Sequence, residues 1–179
     1  MRILKDFDGK KIKIRSLSIK DLKKAKKFQE YINCLVEEDA QILIDRIISL
    51  KEEKEWLRKE IEEVRRKKRI MMIAEHTGKI VGICDVWLRK GRSSHVAEIG
   101  LSVRKDYRGI GLGKFLMEST LKIAKNKLKP KIFRLSVAST NKIAQNLYKK
   151  SKFKEVARIP KQIKYKGRLV DEIVMIRNV

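Results

Sequence analysis

The run Val-Arg-Lys-Asp-Tyr-Arg-Gly-Ile-Gly-Leu-Gly, from Val103 to Gly113, stands between an apolar stretch at 96–103 and a helical pattern at 114–126. A strand, a glycine loop and a helix in that order narrow the choice of ligand. Without Cβ atoms at 109, 111 and 113 the backbone can approach a bound group closely, and the N–H groups of the opening helical turn point outward with partial positive charge. A diphosphate suits such a cradle.

Spacing separates the phosphate loops that look alike. A Walker loop places four residues between its glycines and then Lys-Ser/Thr. Here Gly109 and Gly113 are separated by three residues, and Lys114 is followed by Phe115. A dinucleotide fingerprint needs Gly-x-Gly-x-x-Gly and an acidic residue further on to meet a ribose; position 114 is Lys, and 129–131 holds no acid. Neither nucleotide reading fits.

Arg108-x-x-Gly111-x-Gly113 does resemble a known loop, the acyl-CoA signature of the GNAT superfamily of N-acetyltransferases. A second block, Asn141-x-x-Ala144-x-x-Leu147-Tyr148-x-Lys150-x-x-Phe153, is similar to that family's second cofactor motif and follows a strand-like run at 132–137. The two blocks cover Val96 to Phe153. One position departs: Lys152 stands where the family often has Gly, so a different backbone geometry is expected in the turn leaving that helix.

The resemblance implies an α/β (α+β) fold, a mixed and mostly antiparallel sheet of about six to seven strands flanked by about four helices. It also implies acetyl-CoA as acyl donor and a primary amine as acceptor, whether a small-molecule amine, an amino acid or a protein amino terminus. Leu101, Ser102 and Val103 would pair like a neighbouring strand with the pantetheine arm. Arg108, Gly109, Ile110, Gly111, Leu112, Gly113 and Lys114 would wrap the diphosphate, the two cationic side chains adding attraction. Asn141 would hydrogen-bond the pantetheine arm or its neighbourhood.

For a lysine-like amine of pKa about 10.4, only about one molecule in 2,500 is neutral at pH 7, so a base helps the attack. By the resemblance that base is Glu98, acting directly or through a water; a solvent-facing carboxylate, or one that only holds a cationic substrate, is the alternative. In a strand, Val96, Glu98 and Gly100 share one face while Ala97, Ile99 and Leu101 share the other. Tyr148 resembles the family's donor to the departing thiolate, the alternative being a core aromatic with a wet hydroxyl. The acceptor's walls are expected around 37–42 and 165–169, where Glu37, Glu38 and Asp39 offer charge to a cation or mark a helix boundary.

The net charge of +24 is uneven, with 25 basic against 17 acidic residues over 1–99 and 21 against 5 over 100–179. Concentrated in the half with the glycine loop, it favours capture of a phosphorylated coenzyme. It equally suits a basic RNA-associated protein that keeps the acetyltransferase fold for binding, or the solvated surface of a thermophile-like composition. The 179 residues suggest a single domain, and a homodimer is left open. No apolar run approaches a membrane span and the start of the chain has no apolar signal core, so a cytoplasmic location is expected. Cys34 and Cys84 lack zinc-binding spacing and read as small core residues; with only His76 and His95 besides, no metal is expected.

Along the chain the patterning predicts a strand at 11–16 and a helix after Ser18, with Asp21 as its capping partner. A second helix is expected from Ile42 past Trp56 to about Arg66, with Trp56, Leu57, Ile61 and Val64 as its apolar stripe. Strands at 70–75, 79–87 and 95–103, a helix at 114–127, a strand at 132–137, a helix at 141–151 and strands at 154–165 and 169–177 complete the order.

Overall fold

The computed structural model describes residues 2–179. In chain order its elements are β1 (Arg2–Phe7), β2 (Lys10–Ser16), α1 (Ala25–Glu37), α2 (Leu50–Arg65), β3 (Arg69–His76), β4 (Lys79–Leu88) and β5 (Val96–Val103). Then follow α3 (Leu112–Leu128), β6 (Ile132–Ala138), α4 (Lys142–Lys150), β7 (Lys154–Tyr165) and β8 (Arg168–Asn178). The strands hydrogen-bond in the order β1-β2-β3-β4-β5-β6-β8-β7. The β5–β6 pair is parallel, while β1–β2, β2–β3, β3–β4, β6–β8 and β7–β8 are antiparallel. The chain divides into two compact units, the first formed up to Trp87 together with Gly100–Leu128, the second by Leu88–Ile99 and Lys129–Val179.

In the first unit, β3 is buried on both faces from Met71 to Ala74. Met71 and Ile73 join Phe28 and Leu35 of α1 and Leu57 and Ile61 of α2 in one core cluster. On the opposite face α3 packs so closely that a Cβ at Gly82 would lie 3.4 Å from the Leu116 side chain. Burying each such large apolar side chain contributes about 1.5–3 kcal/mol. Two-residue turns with both φ angles positive, Asp8-Gly9 and Thr77-Gly78, close the β1–β2 and β3–β4 hairpins.

Three sequence expectations change here. Eight strands replace six to seven, because Arg2–Phe7 forms β1, paired to β2 from Arg2↔Arg15 to Phe7↔Lys10. Its exposed Leu4 and three charged neighbours, Arg2, Lys5 and Asp6, hide the alternation, and only Phe7 is fully buried. The segment from Ile42 to Ile48 is not helical: Asn33 accepts from the Ile48 N–H at 2.8 Å and donates to its carbonyl at 3.0 Å, competing with helical bonding. The helix begins at Leu50, where Ser49 and Glu52 form a reciprocal capping box. The apolar stripe of α2 consists of Leu57, Ile61 and Val64, with Trp56 turned outward and 38% exposed.

In the second unit β6 runs parallel to the start of β5, with Val96 opposite Ile132 and Glu98 opposite Arg134. Helix α4 is capped by Asn141, whose Oδ1 accepts from the Ala144 N–H at 3.1 Å. Gln145 is buried and donates to the Ala138 and Ser139 carbonyls, closing the β6–α4 connection. Lys152 takes φ +66°, the left-handed conformation that a glycine at a helix end supplies, so the departure expected from its sequence does not occur.

Candidate functional site

Strand β5 leads through Lys105–Tyr107, a single 3-10 turn, into the glycine loop and α3, which starts at Leu112 rather than Lys114. Gly109 and Gly111 have φ of +81° and +84°, and among the described residues no atom beyond their own chain neighbours lies within 4 Å of where their Cβ atoms would be. Backbone conformation therefore requires both glycines, and the space over them is open. The first intrahelical bond is donated by Phe115 to the Gly111 carbonyl at 3.1 Å, so the N–H groups just before it have no helical acceptor. This nest at a helix N-terminus is built for an anion. Beside it opens a cavity of about 500 Å³ lined by Gly111, Lys114, Phe115 and Glu118 with Lys5, Asp6, Phe7 and Asp8 of the first hairpin. Lys5 Nζ stands 4.3 Å from the Phe115 ring centre.

Arg108 is turned back onto the protein. Its Nε donates to the Val103 carbonyl at 2.8 Å and its Nη2 to Glu38 Oε2 at 2.8 Å. The same Glu38 oxygen accepts from the Lys105 N–H at 2.9 Å. Glu38, read from sequence as a possible partner for a cationic acceptor, instead fastens the loop to the end of α1. Cys34 belongs to this contact too and is half-buried rather than core: Arg104 donates to its Sγ at 2.7 Å, and the thiol faces Glu38 Oε1 at 3.3 Å. Burial and Glu38 push the thiol up, against the pull of Arg104. Cys84 is fully buried, as expected. Among the described residues, no group of three or more His, Cys, Asp or Glu side chains could hold a metal ion.

Leu101, Ser102 and Val103 are half-buried on β5, and Ser102 Oγ lies 2.8 Å from the hydroxyl of Tyr31, a buried α1 residue whose phenol burial holds well above its usual range. The cofactor residues read from the first motif, Leu101 to Val103 and Arg108 to Lys114, thus come together in the first unit. Glu98, Asn141 and Tyr148 lie in the second. Glu98 alternates with the buried Ala97 and Ile99 as expected, and its Oε1 meets Arg134 Nη1 at 2.6 Å and Arg89 Nε at 3.7 Å. Tyr148 is 7% exposed and packs edge-on against Phe153, ring centres 6.2 Å apart. Sequence reasoning missed the Arg108–Glu38 brace, since nothing in either segment marks a contact between residues seventy apart.

A mixed sheet whose fifth strand delivers a glycine-rich anion cradle at a helix N-terminus defines an acyltransferase of the class the motifs resemble. The chain belongs to the acetyltransferase (GNAT) family, whose family model matches residues 33–153. No curated protein sequence matches it. Among solved structures, a GNAT-family acetyltransferase from Streptococcus pneumoniae is 22% identical, with a TM-score of 0.82 over 94% of this chain and 100% of that one. The ribosomal-protein-S5-alanine acetyltransferase of Vibrio fischeri has a TM-score of 0.84 at 14% identity, covering 99% of this chain and 96% of its own. A Salmonella typhimurium acetyltransferase structure with its cofactor acetyl-CoA has a TM-score of 0.77 at 21% identity, covering 93% of each chain. At these identities the likeness is one of fold.

Proposed function

We propose that this protein transfers the acetyl group of acetyl-CoA to a primary amine by direct attack, and that residues 1–179 act as one catalytic domain. The observation that carries the reading is the open cradle over Gly109 and Gly111 at the start of α3. A side chain at either position would fill the space a diphosphate needs, so the residues fit coenzyme A. The bound thioester supplies an activated acetyl group. Main-chain N–H groups from Gly109 to Lys114 hold the diphosphate, and Leu101 to Val103 offer strand-like pairing to the pantetheine arm. Lys114 and Lys5, with the rings of Phe7 and Phe115, suit the adenosine end in the neighbouring cavity.

In the chemical step the amine nitrogen bonds to the thioester carbonyl carbon and the carbon–sulfur bond breaks. Glu98 takes the proton the nitrogen loses, directly or through a water, and Tyr148 returns one to the departing thiolate. The ion pairs with Arg134 and Arg89 fix the position of the Glu98 carboxylate. Asn141, the cap residue before α4, would hydrogen-bond the pantetheine arm or its neighbourhood. The Vibrio fischeri relative by fold acts on a ribosomal-protein alanine, and a protein amino terminus is one of the acceptor classes open to this chain.

Thermal denaturation with and without acetyl-CoA tests the reading. A ligand held only by the native state raises its stability by about 2.7 kcal/mol at a hundredfold excess over Kd. Gly111→Val, which cannot adopt φ +84° without strain and fills the cradle, should abolish the shift. No shift for the unaltered protein at saturating acetyl-CoA, with steeply salt-dependent RNA binding in its place, would establish the RNA-associated alternative.

A further inference from the structure

One face of the first unit holds charges that the cofactor cradle does not use. Asp85 on β4 meets Arg69 on β3 in a short charge-assisted contact, and Arg69 Nε lies 2.6 Å from Glu60 Oε2 on α2. That second contact lacks hydrogen-bond alignment, leaving Glu60 Oε2 and Arg69 Nε buried without a hydrogen-bond partner. The side chains of Glu60, Arg69 and Asp85 are 10%, 14% and 16% exposed. Two carboxylates therefore share one guanidinium. With both carboxyl groups ionised the cluster carries a surplus negative charge, in a setting where an unbalanced charge is costly.

Its place in the unit gives that surplus a use. Asp85 Oδ1 stands 2.5 Å from where a Cβ on Gly100 would be, so position 100 is glycine to admit the carboxylate. Gly100 immediately precedes Leu101, the start of the stretch offered to the pantetheine arm. The Trp87 ring flanks the cluster, its centre 4.6 Å from the Arg69 guanidinium carbon, and gives an alkyl group an apolar surface. The protein as a whole carries +24 and repels a cationic acceptor. A local site of opposite sign would offset that repulsion.

We propose that Glu60, Arg69 and Asp85, with Gly100 and Trp87 beside them, form the subsite that receives the protonated amine of the acceptor. The inference rests on the acetyl-transfer reading and specifies the acceptor as a cationic primary amine. Its ammonium group neutralises the surplus charge and donates to the carboxylates, while its alkyl chain lies along Trp87. Burial, opposed by Arg69 and reinforced by Glu60, pushes the Asp85 carboxyl up to about 6, and burial likewise raises Glu60. The groups facing Asp85 are thus Arg69 and Glu60, with Glu63 acting on Glu60. Below pH about 6 the surplus disappears as Asp85 takes a proton, and the site loses its hold on a cation.

The test uses n-butylammonium as probe and n-butanol as its uncharged counterpart. In Trp56→Phe protein, Trp87 is the sole remaining tryptophan and its fluorescence reports the site. Butylammonium should change it saturably at pH 8, more weakly at pH 5, and butanol should not. Asp85→Asn should weaken the response at least about tenfold, the scale for losing one partner of a buried charge pair. Glu60→Gln removes a charge at constant shape and should weaken the response by a similar factor, which keeps the test open if Asp85→Asn does not fold. An equal response to butanol, or unchanged binding in both variants, overturns the subsite. Acetyl-CoA stabilisation is read separately in thermal denaturation. A shift with acetyl-CoA but no butylammonium response removes the subsite and keeps acetyl transfer. Absence of that shift removes acetyl transfer, and the acceptor role with it.

Discussion

Arg108 and Glu38 are joined at 2.8 Å across seventy residues of sequence, so the loop that cradles the anion is held by the end of α1 as well as by its own strand. The Arg108 side chain is 38% exposed and that of Glu38 15%, which puts the pair between surface and interior. Its loss should cost about 1 kcal/mol of loop order, roughly fivefold in acetyl-CoA affinity. Arg108→Ala and Glu38→Gln should each weaken acetyl-CoA binding by about that factor. In the double variant the losses should not add, because one contact is removed twice. Calorimetric titration of the four proteins checks it, and additive losses would mean that the two residues act independently.

Glu53 presents a different case, a carboxyl on the inner face of α2 that is 5% exposed. Burial pushes it from 4.5 up to about 7. The folded protein therefore keeps a proton that the unfolded chain releases, and stability falls as pH rises from about 4.5 to about 7. Above that window the folded state carries a buried charge at a cost of about 3 kcal/mol. Glu53→Gln should be more stable than the unaltered protein at pH 8, and the difference should vanish near pH 4. Urea melts at the two pH values measure it. A gap that is the same at both would show that Glu53 ionises freely in the folded protein.

The glycine loop, the order from β2 to β8 and the buried position of Cys84 were legible because each is a local pattern: a glycine that needs positive φ, an alternation, a turn dipeptide. Asp8-Gly9 carried the same kind of signal for β1, and only the polar character of Arg2–Phe7 concealed it. The Ile42–Ile48 segment misled because isoleucines at helical spacing matched a period that the packing does not follow: Ile42 packs against the core, but Leu43 and Ile47 are 85% and 55% exposed. The Arg108–Glu38 brace and the Glu60–Arg69–Asp85 cluster were not legible at all. Each depends on which side chains the sheet and helices bring together, and charged residues are so common in this chain that no one of them stands out.

Glu98 and Tyr148 should separate by the step each serves. Glu98→Gln keeps the shape of the carboxylate but cannot accept a proton, so kcat should fall by about a hundredfold while acetyl-CoA binding is retained. Tyr148→Phe should lower kcat by no more than about tenfold, since a thiolate whose acid has pKa about 8.5 departs with little help. Steady-state kinetics across pH 6–9, with thiol release as readout, gives both numbers. Equal rates for all three proteins through that range would remove both roles.

Lys152 closes α4 in the left-handed region, φ +66°, as the Phe153 N–H returns to the Tyr148 carbonyl at 3.0 Å and the Lys152 N–H to that of Lys149 at 3.0 Å. A residue with a Cβ adopts that conformation at a cost of about 1–2 kcal/mol, which glycine avoids. Glycine gives part of this back through the greater freedom of its unfolded chain, about 0.4–1 kcal/mol. Lys152→Gly should therefore stabilise the protein by about 0.5–1 kcal/mol, read as a higher urea midpoint with an unchanged slope. Because Tyr148 and Phe153 bracket this turn, the substitution should leave their edge-on packing and the Tyr148→Phe effect on kcat intact. A lower midpoint would show that the lysine side chain contributes more than its backbone strain costs.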